Sequence, residues 1–172
     1  MYIRALLLDG YLVFVSTLVH LKQSIFSRDS SQEVKPSHAV VKLCVVSRRS
    51  LSWEKRIKIA SGAARGLKYL HENNIIHRDM RPNNILVTHD HESLVGDFGL
   101  ARAHEGNLDH SSETRVVGTL GYLAPEYAES GKLSTKTDVY AFGVVLLQLI
   151  TGYTTNDKKL KGRSLVGWVR KT

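Results

Sequence analysis

Between Lys136 and Thr151 the chain reads KTDVYAFGVVLLQLIT, and nearly every position past the first turn is apolar. Val139, Phe142, Val144, Val145, Leu146, Leu147, Leu149 and Ile150 leave no polar face of any width. A helix that is apolar nearly all round has to be wrapped by other elements. The stretch therefore predicts a buried central helix around which the rest of the fold is organised. Gly152 follows it and can close it in a left-handed conformation. A second helix is predicted over 52–72. Ser52 can cap it, and Glu54 in its first turn suits the positive end of the dipole. Trp53, Ile57, Ala60, Ala64 and Leu67 fall at helical spacing, with Ile59, Ala63, Gly66 and Leu70 in an adjacent row. The two rows predict a broad buried face. Its small residues, Ala60, Gly62, Ala63, Ala64 and Gly66, allow a close neighbour, and the two helices are expected to pack together.

Three short apolar pieces lie between them: Ile75-Ile76, Ile85-Leu86-Val87 and Leu94-Val95. The polar run Thr88-His89-Asp90-His91-Glu92-Ser93 separates the last two, which reads as a β-hairpin. Ser164 to Lys171 starts a further helix. Residues 1–49 look different. Residues 5–21 are apolar but short, and Asp9 and Gly10 interrupt them, so they do not read as a membrane span. No small-residue cleavage site follows to suggest a signal peptide. The segment reads as a buried strand or as disorder, and Ser27 to Glu33 as a linker.

The expected organisation is an unassigned N-terminal segment over 1–49 and one domain over 50–172, mainly α with a small β-hairpin. A single cysteine, Cys44, excludes an internal disulfide framework, fits a reducing compartment and reads as a small buried apolar residue. The net charge of +8 is spread along the chain, with only Lys158, Lys159, Lys161 and Arg163 clustering. Such a balance suits nucleic acid, anionic membranes or acidic partners. No aromatic or motif pattern accompanies it, so no nucleic-acid partner is expected.

The chemistry-bearing residues are concentrated in one place. Asp79 and Asn84 stand five residues apart in His77-Arg78-Asp79-Met80-Arg81-Pro82-Asn83-Asn84, and eighteen residues after Asp79 comes Asp97-Phe98-Gly99. Ala124-Pro125-Glu126 follows. These strings, in this order, form the signature of protein kinases. Residues 50–172 resemble the C-terminal lobe of a eukaryotic serine/threonine protein kinase, and most of all the plant receptor-like and Pelle-type kinases. LSWEKRIKIASGAARGLKYLHE, IIHRDMRPNNIL, VGDFGLAR, GTLGYLAPEY and KTDVYAFGVVLLQLITG all carry the likeness.

The resemblance implies roles residue by residue. Asp79 matches the catalytic base that accepts the proton of the substrate hydroxyl. Asn84 and Asp97 match the magnesium ligands that also hold the nucleotide phosphates, and both offer the oxygen donors that Mg²⁺ requires. Gly99 is expected to let the backbone turn after Phe98. Arg81 occupies the place of a catalytic lysine that contacts the transferring phosphate and the base. The exchange is not conservative at a close site, since the guanidinium is planar and forked. The Met80-Arg81 version resembles a subgroup of plant kinase-like proteins often described as inactive. Arg78 matches an arginine that pairs with a phosphorylated activation loop. Thr114 is the first candidate for that phosphate, with Ser111 and Ser112 read as ordinary solvated loop. Thr119 matches the threonine that marks Ser/Thr specificity and contacts the base. Asp138 matches a buried carboxylate bracing the catalytic loop, and Glu126 a structural anchor. His77 reads as packed scaffold. The remaining histidines, among them His89, His91, His104 and His110, lack metal-ligand spacing and read as surface residues.

A kinase also has an N-terminal lobe with a glycine-rich loop and an ATP-positioning lysine. No G-x-G-x-x-G precedes Asp79. Ala39-Val40-Val41-Lys42 superficially resembles the lysine strand, but only nine residues separate Lys42 from Ser52, so it reads as a chance match. The expectation is a large lobe without its N-terminal lobe, truncated before its last helices. By resemblance the function is transfer of the ATP γ-phosphate to Ser or Thr of proteins in signalling. The cofactors are ATP and Mg²⁺, and the partners a protein substrate with Ser or Thr and a receptor or another kinase, with no membrane partner expected of this chain. The location is the cytoplasm or the cytoplasmic face of the plasma membrane. Two further readings stand beside it: an inactive kinase-like binding module, and a truncated gene product without stable function. Magnesium-independent partner binding would mark the first of these, and rapid proteolysis across 50–172 the second.

Overall fold

The computed structural model describes residues 41–43, 51–103, 111–112 and 115–171. The readings placed on residues 5–21 and 27–33, and on Cys44, His104, His110 and Thr114, lie outside them. In chain order the elements are β1 (Val41–Lys42), α1 (Trp53–Glu72), β2 (Ile75–Ile76), β3 (Ile85–Val87), β4 (Ser93–Val95), β5 (Arg102–Ala103), β6 (Ser111–Ser112), α2 (Pro125–Ser130), β7 (Lys132–Leu133), α3 (Thr135–Thr151) and α4 (Leu165–Val169).

α1 forms where its periodicity predicts. The Ser52 hydroxyl accepts the Lys55 amide and caps it. The Glu54 carboxyl is held below the usual glutamate range by its backbone N–H and the Ser52 hydroxyl. Ile59, Ala60, Gly62, Ala63, Leu67 and Leu70 are buried. The expected face is trimmed at its start, because Trp53 and Ile57 are 57% and 37% exposed among the described residues. The small residues admit β4. A Cβ on Gly62 would lie 2.5 Å from Ser93 Oγ, and one on Gly66 would lie 3.0 Å from Val95 Cγ2. Ser93 Oγ donates to the Ile59 carbonyl at 2.6 Å and ties strand to helix.

β3 and β4 form the expected antiparallel hairpin, with Ile85, Leu86 and Val87 opposite Val95, Leu94 and Ser93. β1 adds to its outer side, Val41 opposite Val87 and Lys42 opposite Leu86. β2 pairs with β5, and β6 with β7. Ser111 and Ser112, read as open loop, are therefore strand backbone.

α3 begins with a capping box between Ser134 and Thr137 and ends at Gly152, whose φ is 72°. Ala141, Val145 and Leu149 join Ile59, Ala63, Leu67, Leu70, Met80 and Ile85 in the main core, so α1 and α3 share one apolar interior. Val144 faces another way, against Leu160 and Leu165 ahead of and within α4. α3 is central but not wrapped all round: Val139 and Ile150 are each 56% exposed. A third cluster joins Ile76, Ala124, Tyr127 and Leu133. Among the described residues, no helix is long and apolar enough to cross a membrane.

Candidate active site

The loop from His77 to Asn84 is held from below by α3. Asp138, 1% exposed in the first turn of that helix, accepts the His77 amide at 2.7 Å and the Arg78 amide at 2.8 Å. His71 of α1 reaches the same carboxylate through Nε2 at 3.0 Å. His71 thus departs from the surface reading of the remaining histidines, and it links both long helices to the loop. Arg78 takes a left-handed φ of 68°. Two backbone bonds to one buried carboxylate hold that strained residue in place. The Arg78 side chain turns away and donates from Nε to the Leu100 carbonyl at 2.6 Å.

His77 is fully buried, as a scaffold residue should be. Its Nδ1 accepts the Asp79 amide at 3.2 Å and its Nε2 meets the Gly96 carbonyl at 3.0 Å. The two partners fix the tautomer, with the hydrogen on Nε2. Phe98 stands edge-on to the ring, with centroids 5.3 Å apart. The loop carrying Asp79 and the segment carrying Asp97 are joined through this ring.

Asp79 is 9% exposed and both carboxylate oxygens are engaged. Oδ1 accepts the Thr119 hydroxyl at 2.5 Å, and Oδ2 accepts Asn84 Nδ2 at 2.9 Å. The same Nδ2 donates to the Asp79 carbonyl at 2.8 Å. Pro82 opens the 3₁₀ turn Pro82–Asn84, where its missing N–H is harmless, and the turn swings Asn84 back onto Asp79. With both amide hydrogens committed, Asn84 Oδ1 is forced to point the other way. It is buried and has no hydrogen-bond partner among the described residues. A buried amide oxygen without a partner is uncommon and asks for a ligand. Arg81 Nε lies 3.1 Å from Asp79 Oδ2, close enough for strong attraction, yet it is not aligned as a hydrogen bond.

Asp97 comes alongside through the hairpin. The Gly96 amide donates to the Asn84 carbonyl at 2.8 Å, one step beyond the Ile85–Val95 pair. Asp97 itself takes φ 62°, ψ 70°, and its side chain is exposed. The left-handed turn thus falls on Asp97 and not on Gly99, which lacks a positive φ. Asp79 and Asn84 are in direct contact, and Asp97 is their neighbour by backbone.

Thr119 reaches Asp79 because the loop before it runs close. A Cβ on Gly118, whose φ is 133°, would lie 2.9 Å from the Arg78 carbonyl oxygen. Glu126 is exposed in the first turn of α2 and makes no ion pair among the described residues. No group of three His, Cys, Asp or Glu side chains among the described residues could hold a metal.

The family model for the protein kinase domain matches residues 22–165. The chain belongs to the protein kinase family. The match begins well inside the segment in which the sequence offers no recognised motif. Among relatives in Arabidopsis thaliana, the proline-rich receptor-like protein kinase PERK8 is 54% identical over 126 residues, covering 70% of this chain and 18% of that protein. PERK5, of the same description, is 56% identical over 126 residues, again 70% and 18%. The putative proline-rich receptor-like protein kinase PERK11 is 54% identical over 125 residues, 70% and 17%. The relatives that the chain matches are thus receptor-like protein kinases. The chain spans under a fifth of the length of these curated relatives. Of the kinase-type residues named from sequence, the fold brings Asp79, Arg81, Asn84 and Thr119 into one cluster, with Arg78 and Asp138 beneath it. His71 and the Gly96 backbone are the supporting groups that the sequence did not mark.

Proposed function

We propose that the Asp79–Asn84 cluster is the phosphoryl-transfer centre of a protein Ser/Thr kinase domain that uses ATP and Mg²⁺. The observation that carries this reading is the buried, unpartnered Oδ1 of Asn84. It is a hard oxygen donor locked in orientation by two bonds from its own amide nitrogen, which suits Mg²⁺. Asn84 and Asp97 would hold the ion, which when bound neutralises charge on the nucleotide phosphates.

The chain's own groups then divide the work. The Asp79 carboxylate, steered by Thr119 and Asn84, accepts the proton of a substrate Ser or Thr hydroxyl. The Arg81 guanidinium, beside that carboxylate, faces the charge of the transferring phosphoryl group. Asp138 positions the loop through backbone bonds and does not touch the reacting atoms. Arg78 is the group to receive a phosphate on Thr114, Thr119 lends the Ser/Thr preference, and Glu126 serves as an anchor. The partners are a Ser/Thr-containing protein and a receptor or second kinase, in the cytoplasm or at the cytoplasmic face of the plasma membrane.

Arg81 favours a second reading, a kinase-like module that binds without turnover. Its fork lies against the base where the family usually has lysine, and it can hold Asp79 in an unproductive pair. Both readings retain metal–nucleotide binding. The test is a titration of the purified chain with Mn²⁺ and ATP, following free Mn²⁺ by electron paramagnetic resonance. Nucleotide-dependent uptake is expected, and Asn84→Ala should weaken it by at least the roughly tenfold typical of groups that merely support a ligand. Uptake unchanged in Asn84→Ala, or none in the parent chain, overturns the proposal.

A further inference from the structure

Charge is distributed unevenly. From Gly152 onward the chain holds six cations, Lys158, Lys159, Lys161, Arg163, Arg170 and Lys171, and one carboxylate, Asp157. That is a balance of +5 in a chain of +8. All six cations are exposed, and none makes an ion pair among the described residues. Asp157 is occupied as the cap of the 3₁₀ turn Lys158–Leu160, accepting the Lys159 amide at 2.9 Å.

The fold brings the segments that carry these cations together. Leu160 and Leu165 are pinned in the core against Val144, so the residues flanking Leu160 must face outward. Lys159 Nζ lies 5.2 Å from the centre of the Tyr153 ring, and that ring stands edge-on to Trp168 at 5.3 Å. Trp168 lies in the last turn of α4, just before Arg170 and Lys171, and the Lys171 amide bonds back to its carbonyl. The Tyr153–Trp168 pair therefore bridges the lysine turn and the terminal cations.

We propose that this surface is a docking site for an anionic lipid bilayer. Four of the six cations are lysines, which act as point charges and suit a diffuse field of headgroups. Recognition of a phosphopeptide would favour paired arginine forks. Tyr153 and Trp168 are partly buried and pack on the Val144–Leu160–Leu165 core, which gives the charged segments a firm base. Four to eight clustered cations are also the number that binds anionic leaflets by charge. Such attachment lies on the membrane and does not cross it.

The test is co-sedimentation of the full 172-residue chain with phosphatidylcholine vesicles, with and without phosphatidylserine. Binding is expected only with phosphatidylserine, and it should fall as salt rises. Each cation near such a surface is worth roughly fivefold in affinity, so K158Q/K161Q/R163Q should lose on the order of a hundredfold. The comparison triple K55Q/K132Q/K136Q removes equal charge from exposed sites elsewhere and should lose much less. Equal loss in both triples would mean that net charge alone acts, and it overturns the proposal. So does absence of vesicle binding, or binding to polyglutamate in place of vesicles, which would identify an acidic polypeptide as the partner.

Discussion

Replacing Asp138 by alanine should uncouple the loop from His77 to Asn84 from the helix beneath it. The carboxylate accepts the His77 amide at 2.7 Å, the Arg78 amide at 2.8 Å and His71 Nε2 at 3.0 Å. His77 is fully buried, so its N–H cannot find water once the acceptor is gone. An orphaned buried donor costs about 1–3 kcal/mol. The Arg78 amide is only partly buried and should add about half as much. His71 is 17% exposed and can turn to solvent, so its share is small. The sum is roughly 2–5 kcal/mol, a large part of the ~5–15 kcal/mol that holds a domain together. Asp138→Asn should fall between, because its one carbonyl oxygen serves one amide while its NH₂ confronts the other. Urea melts followed by circular dichroism read the effect as a lower midpoint at unchanged slope. A loss under about 0.5 kcal/mol, ordinary for a surface site, would refute the reasoning. The loop would then be held by something other than this carboxylate.

Three further outcomes follow from the geometry. Ala63→Phe enters the fully buried α1 face shared with α3 and should destabilise by roughly 1–3 kcal/mol through overpacking; an unchanged melting midpoint would count against that packing. Gly118→Ala combines a φ of 133° with a Cβ 2.9 Å from the Arg78 carbonyl, so it should cost about 1–3 kcal/mol and pull Thr119 off Asp79. A neutral melt with unperturbed Asp79 and Thr119 resonances would contradict this. The purified 172-residue sequence, which contains no G-x-G-x-x-G, should transfer no labelled phosphate from ATP to a generic Ser/Thr substrate. Activity abolished in an Asp79→Asn control would show that residues 1–49 or a second chain complete the site.

Much of the framework was legible because local chemistry and tertiary structure agree there. Ser52, the apolar rows of α1, the run of α3 and Gly152 each mark an element through its own residues. Coverage was not legible. Periodicity says which residues share a face, not whether a neighbour exists, so Trp53, Ile57, Val139 and Ile150 come out more exposed than their pattern suggests. The small residues of α1 signalled a close approach but not by what; β4 is the element, and Ser93 its nearest contact. Two-residue strands carry no pattern, so the pairings β1–β3, β2–β5 and β6–β7 could only be seen in three dimensions. In the site, motif spacing named the groups but not their contacts. His71 stands 67 positions before Asp138, and no local signal connects them. The unpartnered Asn84 oxygen is likewise invisible in sequence, since it results from where both amide hydrogens go.

In the proposed phosphoryl-transfer centre, Asn84 Oδ1 and Asp97 would hold a metal beside Asp79. A crystal structure of the chain with Mg²⁺ and a non-hydrolysable ATP analogue tests it most directly. The expected result is an ion about 2.0–2.1 Å from Asn84 Oδ1 and from an Asp97 carboxylate oxygen, with phosphate oxygens and water in its remaining positions. A bound nucleotide whose metal leaves Asn84 Oδ1 unligated, or turns the Asn84 amide to satisfy that oxygen elsewhere, would contradict it.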